Sequence, residues 1–308
     1  MINFKNRVEN NMPDAIKIDK LSKHYGKVKA LEKLDLVIKK GEVFGYLGPN
    51  GSGKTTTIRL MLGLIKPTNG SSQIFGQDSQ KDIISAHKLL SYIPGEANLW
   101  PNLTGMETLH FLGKLHGEVD EKYRDELIKR FKFEPNKKVR TYSKGNKQKI
   151  SIIASLMTKA DLLIMDEPTS GLDPIMEQAF RTSVAEAKAN KQTIFLSSHI
   201  LEEVEALCDR VGILKTGELV ELGNLSEMKH LSALKVQATF SSAPPKVDKI
   251  KGVSGVSIIG NELTCQITGP IDELISVIAR AKPKTLISRE PSLEELFLNL
   301  YGDKEVKV

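Results

Sequence analysis

Cysteine is scarce in this chain, since only Cys208 and Cys265 occur among its 308 residues. The two form no Cys-x-x-Cys pair, and no histidine lies at a spacing from them that would suit a metal. These absences exclude a disulfide framework and a cysteine-based zinc site. We interpret both cysteines as reduced thiols packed in or near a core.

Long apolar runs are absent as well. A helix that crosses a bilayer needs about 18 or more consecutive apolar residues, and the densest run here, Ile150–Met157, is short and interrupted by serine. The first residues, MINFKNRVENN, are polar and lack the apolar segment of a signal peptide. We therefore expect a cytoplasmic chain that is soluble when isolated and acts at a membrane only as a peripheral subunit.

A strong imbalance of charge is also lacking, because 44 basic residues face 38 acidic ones and the net charge is +6. Most lysines are scattered among acidic residues, as on a solvated surface. Nothing resembles a zinc finger or an aromatic platform for RNA, so we predict no nucleic-acid partner. One dense basic cluster remains, consisting of Lys137, Lys138, Arg140, Lys144, Lys147 and Lys149.

What the chain does contain is enough apolar material for a substantial core, since 40% of its residues are hydrophobic. At roughly 150 residues per domain, its length indicates one large and one smaller domain. We predict a polar leader over residues 1–14, a large domain over 15–228 and a small domain over 229–308.

The large domain alternates short apolar strands with helical patterns, which is typical of an α/β fold with a buried parallel sheet. Residues 80–140 read as mostly helical, with a capping box formed by Thr104 and Glu107, and we expect a helical insert at about 90–160. The predicted strands are Ala15–Lys20, Leu34–Ile38, Glu42–Leu47, Leu162–Met165, Thr193–Ser197, Val211–Leu214 and Leu219–Leu222. The predicted helices outside 80–140 are Thr55–Ile65, Ser143–Thr158, Met176–Ala189 and Ile200–Cys208.

The small domain has a different order of elements, β-α-β-β-α-β, which predicts a ferredoxin-like α+β sandwich. Its predicted helices are Pro245–Ile250 and Asp272–Ala281. Its predicted strands are Leu234–Phe240, Val256–Ile259, Leu263–Ile267 and Thr285–Arg289. A capping pattern that begins at Ser292 predicts a final helix ending near Leu300.

The strongest motif is Gly-Pro-Asn-Gly-Ser-Gly-Lys-Thr, which fits G-x-x-x-x-G-K-[ST] between a strand and a helix. Glycines let consecutive amides point at a phosphate, and the helix N-terminus adds positive potential. Lys54 is expected to reach the β- and γ-phosphates, and the Thr55 hydroxyl to be a ligand of Mg²⁺. The residues assigned to the nucleotide here are Gly48, Pro49, Asn50, Gly51, Ser52, Gly53, Lys54, Thr55 and Thr56.

A second motif is the apolar strand that ends in Asp166 and Glu167. Carboxylates at the carboxyl end of a buried strand suit the ligand crevice of an α/β sheet. We predict that Asp166 holds Mg²⁺ and that Glu167 activates the attacking water. A GTPase is disfavoured, because the nearest match to Asn-Lys-x-Asp, the segment 146–149, lacks the acid.

With these motifs in place, residues 15–225 resemble the ABC transporter ATPase family. Tyr25 lies where that family stacks an aromatic ring on adenine. Segment 142–148, Tyr-Ser-Lys-Gly-Asn-Lys-Gln, resembles the LSGGQ signature, which caps the ATP of the partner subunit; this implies that Ser143, Gly145 and Asn146 bind nucleotide. Segment 170–173, Ser-Gly-Leu-Asp, corresponds to the family's D-loop, an inter-subunit contact.

The resemblance also assigns His199 as the switch histidine that contacts the γ-phosphate, which makes it a catalytic residue beside Glu167. Two departures from the family pattern stand out. Lys144 and Asn146 replace a glycine and a glutamine of the signature. Gly95, followed by Glu96, stands where the family usually has a glutamine that binds Mg²⁺, so either Glu96 substitutes or water completes the metal's shell.

The resemblance implies a complete assembly. Two copies, or this chain and a paralogous ATPase, would sandwich two ATPs head to tail, and a separate membrane permease would turn closure and opening into export from the cytoplasmic face. The permease is expected to contact Leu99–Glu107. The C-terminal domain and Gly95-Glu96 are similar to exporter subunits of the drug and antibiotic-resistance class.

Two other functions remain as alternatives. A soluble ABC ATPase acting on ribosomes or DNA usually carries two cassettes or a long coiled-coil insertion, whereas this chain has one cassette and no sustained heptads. A nucleotide-binding regulator without turnover is weakened by the joint presence of Glu167 and His199. Co-purification with a membrane protein separates both from a transporter, whose substrate the sequence does not name.

Overall fold

The structure is a computed structural model, and it describes residues 14–117, 119–225, 227 and 234–289. The chain divides into two compact units, Met1–Leu222 and Gly223–Val308. The boundary proposed after residue 228 and the helix proposed from Ser292 lie outside the described residues. No helix of the described ranges is long and apolar enough to cross a membrane.

The first unit contains a six-stranded sheet with the order β10-β9-β3-β8-β7-β6. Each step from β9 through β3, β8 and β7 to β6 is a parallel pairing. The strands β3 and β7 are buried along their whole length, as expected for a sheet covered on both faces. The strands are β3 Val43–Leu47, β6 Leu90–Ile93, β7 Leu162–Asp166, β8 Thr193–Ser198, β9 Arg210–Lys215 and β10 Glu218–Asn224.

A second, antiparallel sheet of the same unit has the order β2-β1-β4-β5. Its strands are β1 Asp14–Tyr25, β2 Val28–Lys39, β4 Asn69–Ile74 and β5 Gln77–Asp78. Side chains from both sheets and from helix α1, Lys54–Met61, share one core, to which Leu36, Tyr46, Ile58 and Phe195 belong. This core fixes the loop between β3 and α1, because the elements on both sides of it are buried.

Six α-helices come after α1 in the described part of this unit. They are α2 Ile83–His87, α3 Gly105–His116, α4 Glu121–Arg130, α5 Lys144–Leu156, α6 Pro174–Ala189 and α7 Leu201–Leu207. The capping box predicted at Thr104 is confirmed, since its hydroxyl accepts from the Glu107 amide and the Glu107 carboxylate accepts from the Thr104 amide. The predicted helix Thr55–Ile65 is too long: α1 ends at Met61, and Gly63 turns the chain with a φ of +66°.

The prediction that residues 80–140 are mostly helical is wrong over Leu90–Ile93, which form strand β6. Leu90 and Ile93 are buried, and their strand pairs with β7. Four residues are too few for periodicity to distinguish a strand from a helix. The helical insert therefore begins after β6, later than predicted.

The second unit is a four-stranded antiparallel sheet with the order β12-β13-β11-β14. Helix α8, Asp272–Arg280, buries Leu274 and Ile278 in the core of this unit. The third strand lies between the first two, which is the split arrangement of a ferredoxin-like sheet. Its strands are β11 Leu234–Thr239, β12 Val253–Ile259, β13 Glu262–Ile267 and β14 Thr285–Arg289.

The helix predicted over Pro245–Ile250 is wrong, because this segment has no helical hydrogen bonds and ends in a turn. Pro245 could begin a helix, but only six residues separate it from Gly252, whose φ of +86° turns the chain, and so short a segment forms no stable helix by itself. Val247 and Ile250 are nevertheless buried in the core of the second unit. The apolar spacing therefore indicated burial in the core, and it did not specify a helix.

Candidate functional site

The loop from Gly48 to Gly53 connects β3 to α1 and requires glycine at both of its ends. A Cβ atom on Gly48 would lie 2.5 Å from the Leu214 carbonyl oxygen. Gly53 has a φ of +112°, and a Cβ atom there would lie 2.5 Å from the Ala30 carbonyl oxygen. Neighbouring backbone thus closes around the loop, and only glycine fits.

Two polar groups of this loop are buried. The Lys54 side chain is 5% exposed, and its Nζ donates to the carbonyl oxygens of Gly48 at 2.7 Å and Pro49 at 3.2 Å. The Ser52 hydroxyl is buried and has no hydrogen-bond partner within the described structure. Buried polar atoms are normally hydrogen-bonded, so an unpaired hydroxyl beside a buried ammonium indicates a ligand with acceptor oxygens.

The start of α1 lies against the end of β7. The Thr55 hydroxyl donates to one carboxylate oxygen of Asp166 at 2.9 Å, and the Ser197 hydroxyl donates to the other at 2.5 Å. Asp166 is 4% exposed. Burial, reinforced by the Asp166 carboxylate, raises the pKa of Tyr92 to about 12.

These oxygen atoms suit Mg²⁺, which binds a few protein oxygens and keeps several waters. Thr55 and Asp166 already lie within hydrogen-bond distance of each other, so both could bind one ion. Among the described residues, no group of three or more histidine, cysteine or acidic side chains could hold a metal. Thr55 and Asp166 would supply two oxygen ligands to such an ion, and water would complete its shell.

Glu167 lies between a lysine and a histidine. Its Oε1 is 3.5 Å from Lys54 Nζ and 3.3 Å from His199 Nδ1. Its backbone has a φ of +47°, while its amide donates to the Ser197 carbonyl oxygen at 3.0 Å. A left-handed conformation in a residue other than glycine is strained and often found at functional sites. Lys54, Glu167 and His199 thus form one cluster.

The residues of the signature-like segment form a second group. Ser143 caps α5 by accepting from the Asn146 amide at 3.3 Å, and Lys144 Nζ donates to the Ser170 hydroxyl at 3.2 Å. A Cβ atom on Gly145 would overlap the Gly171 carbonyl oxygen. A cavity of about 370 Å³ lies here, lined by Ser143, Gly145, Asn146, Lys149, Gly171, Leu172 and Asp173.

Lys149 contributes a positively charged side chain to the lining of this cavity. Burial lowers the pKa of its ammonium group, and the nearby Asp173 carboxylate opposes that shift. The segments 143–149 and 170–173 are thus packed against each other within one chain.

The sequence and the fold can now be compared with known proteins. A family model described as ABC transporter matches residues 31–170. The linearmycin resistance ATP-binding protein LnrL of Bacillus subtilis (strain 168) is 34% identical in an alignment of 305 residues that covers 93% of this chain and 98% of that protein. The chain belongs to the ABC transporter family of ATP-binding proteins.

Two further comparisons agree. The bacitracin transport ATP-binding protein BcrA of Bacillus licheniformis is 41% identical over 216 residues, covering 68% of this chain and 70% of that protein. The solved dimeric structure of the ATP-binding cassette MJ0796 in a post-hydrolysis state, bound to ADP and Pi, matches with a TM-score of 0.59 and 26% identity. It covers 68% of this chain and 98% of that chain. The protein is therefore an ATP-hydrolysing subunit of an ABC transporter, with an α/β core.

Two further predicted residues of this ABC subunit, Tyr25 and Glu96, have exposed side chains. Tyr25 ends β1, its ring is 50% exposed, and Lys23 Nζ lies 5.0 Å from the ring centroid. A Cβ atom on Gly95 would lie 3.2 Å from the Asp166 carbonyl oxygen, whereas Glu96 is exposed. Gly95 therefore brings only its backbone to the site, and the side chain of Glu96 stays in solvent.

Sequence reasoning missed Ser197, Tyr92 and Gln148. Gln148 is 1% exposed, and its Nε2 donates to the carbonyl oxygens of Pro94 and Pro168 at 3.2 and 3.1 Å. It therefore links α5 to the segment before Gly95 and to the segment after Glu167. The only signal in the sequence for Ser197 is its place in the pair Ser197-Ser198, directly before His199.

Proposed function

We propose that this ABC subunit hydrolyses Mg-ATP at the cluster of Lys54, Glu167 and His199, and that this drives export of a substrate through a separate membrane permease. The observation that carries the proposal is Glu167, whose carboxylate lies between the ammonium group of the phosphate loop and the imidazole of His199. The names of LnrL and BcrA, which concern resistance and antibiotic transport, support export.

Each part of the loop has a defined role in binding the triphosphate. The amides and the unpaired Ser52 hydroxyl donate to phosphate oxygens, and Lys54 exchanges its carbonyl partners for the β- and γ-phosphates. Thr55 and Asp166 would hold Mg²⁺, which neutralises charge on the phosphate oxygens when bound. Tyr25 stacks on the adenine through its exposed ring.

Glu167 acts as the general base. In this role its carboxylate accepts a proton from the water that attacks the γ-phosphate. His199, in contact with the same carboxylate oxygen, contacts the γ-phosphate through its other nitrogen. The strained backbone of Glu167 keeps its side chain over the phosphate loop, because its amide is bound to β8.

The partner subunit completes the site. Ser143, Gly145 and Asn146 line a cavity together with segment 171–173, and none of the residues that line it belongs to the phosphate loop. We propose that these residues cap an ATP held by a second copy, or by a paralogous ATPase, arranged head to tail. The dimeric MJ0796 cassette, bound to ADP and Pi, supports this arrangement.

The membrane permease contacts segment 99–107 in this proposal, at the cytoplasmic face. Trp100 and Phe111 are 45% and 41% exposed, and their ring centroids are 4.8 Å apart in an edge-to-face pair. Exposed aromatic pairs of this kind are enriched at protein interfaces. Both aromatic residues follow Gly95 in the chain, and Gly95 lies against Asp166. The proposed permease contact is therefore close in sequence to a segment that packs against the proposed magnesium site.

The test of the catalytic assignment compares Glu167→Gln with Glu202→Gln, an exposed glutamate on α7. Loss of the general base lowers ATP turnover roughly 10²–10⁴-fold and traps an ATP-bound dimer, while Glu202→Gln behaves as wild type. Turnover is measured by phosphate release and dimerisation by light scattering. If the wild-type chain binds ATP but neither hydrolyses it nor dimerises, the departures from the family pattern at Lys144, Asn146 and Gly95 are the expected cause. Repeating the assay with the permease present then distinguishes an ATPase that depends on its partner from a regulator without turnover.

The permease contact is tested by introducing charge. Glu107, the only charged side chain in segment 99–107, closes the capping box of α3, so reversing its charge would also destabilise the helix. We therefore expect Trp100→Glu to abolish transport and membrane association while basal ATP hydrolysis continues. The control is Ile84→Glu, at a residue that is 74% exposed on α2. Unchanged transport in Trp100→Glu would place the contact elsewhere.

A further inference from the structure

Glu203 is a buried acidic residue to which the proposed mechanism assigns no role. It lies on α7 and is 2% exposed. Its Oε2 accepts a hydrogen bond of 2.7 Å from the Ser198 hydroxyl, and Ser198 in turn accepts from the Ile200 amide at 2.9 Å. Its Oε1 is buried without a hydrogen-bond partner within the described structure.

The residues around Glu203 belong to the two segments that carry the cluster. Ser198 precedes His199, and Thr169 follows Glu167 by two positions. Burial is the largest influence on Glu203 and raises the pKa of its carboxyl group, while the hydroxyls of Ser198 and Thr169 oppose this. The charged side chains that influence it are Glu177 and Arg181 of α6.

An ionised carboxylate is poorly accommodated in this position. Burying a charge without a cation in contact is costly, and the ion pairs recorded among the described residues do not include Glu203. A protonated carboxyl group instead accepts from Ser198 and has one O–H group left to donate. The buried Oε1, which has no hydrogen-bond partner, is the atom left to carry this O–H group, and we assign the Thr169 hydroxyl, which influences the same carboxyl group, as its acceptor.

The segment that carries His199 needs such support. His199 is half-exposed, and its recorded polar contact is the one with Glu167 at 3.3 Å. The strands β7 and β8 end at Asp166 and Ser198, and a last backbone hydrogen bond of 3.0 Å runs from the Glu167 amide to the Ser197 carbonyl oxygen. His199 lies beyond this bond, so its position relative to Glu167 depends on the side chains beneath it.

We propose that Glu203 is a positioning residue, whose uncharged carboxyl group bridges Ser198 and Thr169 and so fixes His199 relative to Glu167. This inference rests on the proposed roles of Glu167 and His199. In this role Glu203 acts through the two loops that carry Glu167 and His199. Loss of the bridge should therefore lower turnover and leave nucleotide binding intact.

The experiment compares two substitutions of similar size in the full chain. Glu203→Gln is uncharged and keeps the hydrogen bonds, whereas Glu203→Met removes them. We expect Glu203→Gln to retain wild-type kcat, and Glu203→Met to lose roughly ten- to hundredfold in kcat because the loops shift, with unchanged Kd for Mg-ATP. Hydrogen exchange of amides 167–171 and 197–201 should be faster in Glu203→Met than in Glu203→Gln.

Three results would overturn the inference: wild-type kcat in Glu203→Met, equal losses in both variants, or a weakened Kd that accounts for the whole effect. If Glu203→Met does not fold, Ser198→Ala removes one side of the bridge and should lower kcat alone. If the wild-type chain itself shows no turnover, the proposed function fails, and the exchange rates alone decide whether Glu203 holds the two loops.

Discussion

Asp166 is the residue at which three parts of the chain meet. One of its carboxylate oxygens receives the Thr55 hydroxyl from α1, and the other receives the Ser197 hydroxyl from β8. With a donor on each oxygen, the carboxylate has one orientation. In the proposed magnesium site, a carboxylate held in this way would lose little conformational freedom on binding the metal, and Ser197 would supply that restraint without being a ligand itself.

Ser197→Ala should therefore weaken magnesium binding. Removing a side chain that orients a metal ligand typically costs about 10–100-fold in metal affinity or activity. The measurement is the concentration of Mg²⁺ that gives half-maximal ATP hydrolysis, with Ser71→Ala, at an exposed residue of β4, as the matched control. If Ser197→Ala shows the Mg²⁺ dependence of the wild type, the orienting role assigned to Ser197 is wrong.

The sequence made some site residues predictable because their motifs are local. Gly48 to Thr55 lie within one loop and one helix start, and Asp166 and Glu167 end one strand. Ser197 and Glu203 have no such local pattern. Their roles depend on which side chain lies opposite, and that is set by the order of strands and the packing of α7.

At the scale of elements, continuous apolar runs and long helical patterns were predictable, whereas the four-residue pattern of β6, which Ser91 interrupts, was not. The strands β7 and β8 and the helices α5 and α6 occur where their patterns place them. In contrast, β6 has four residues, and only its pairing with β7 identifies it as a strand. Val247 and Ile250 show a different failure. Their apolar spacing after two prolines predicted a helix, but the segment is buried in the core without being helical.

Helix α5 carries Ser143, Gly145 and Asn146 at its start, and Gln148 anchors it one turn later. The Gln148 amide group donates to the carbonyl oxygens of Pro94 and Pro168, which belong to two separate loops. One side chain thus joins the signature-like segment, the Gly95 segment and the segment after Glu167.

Gln148→Ala should destabilise the first unit and slow ATP turnover. Two buried carbonyl oxygens lose their donor, and an unsatisfied buried group costs about 1–3 kcal/mol. Urea denaturation measures the free energy of unfolding, with Gln178→Ala, at an exposed residue of α6, as the control. Equal free energies of unfolding in the two variants would show that the carbonyl oxygens find other donors, such as water.

The whole molecule consists of two units that each bury a core of their own. The core of the first unit contains Tyr46 and Phe195, and that of the second contains Val236 and Leu274. The motifs for nucleotide lie in the first unit, as does the stretch 31–170 that matches the family model. Nucleotide should therefore stabilise one core and not the other.

Thermal unfolding of the whole chain should show two transitions, and Mg-ATP should raise the Tm of only one of them. A ligand at about 100 times its Kd stabilises the state that binds it by about 2.7 kcal/mol. Leu263→Ala removes a fully buried side chain of the second core, and such changes cost about 2–5 kcal/mol. Differential scanning calorimetry should find that this substitution lowers the Tm of the transition that Mg-ATP leaves in place. A single transition that both Mg-ATP and Leu263→Ala shift would instead mean that the two cores unfold as one cooperative unit, so that nucleotide binding also stabilises the C-terminal sheet.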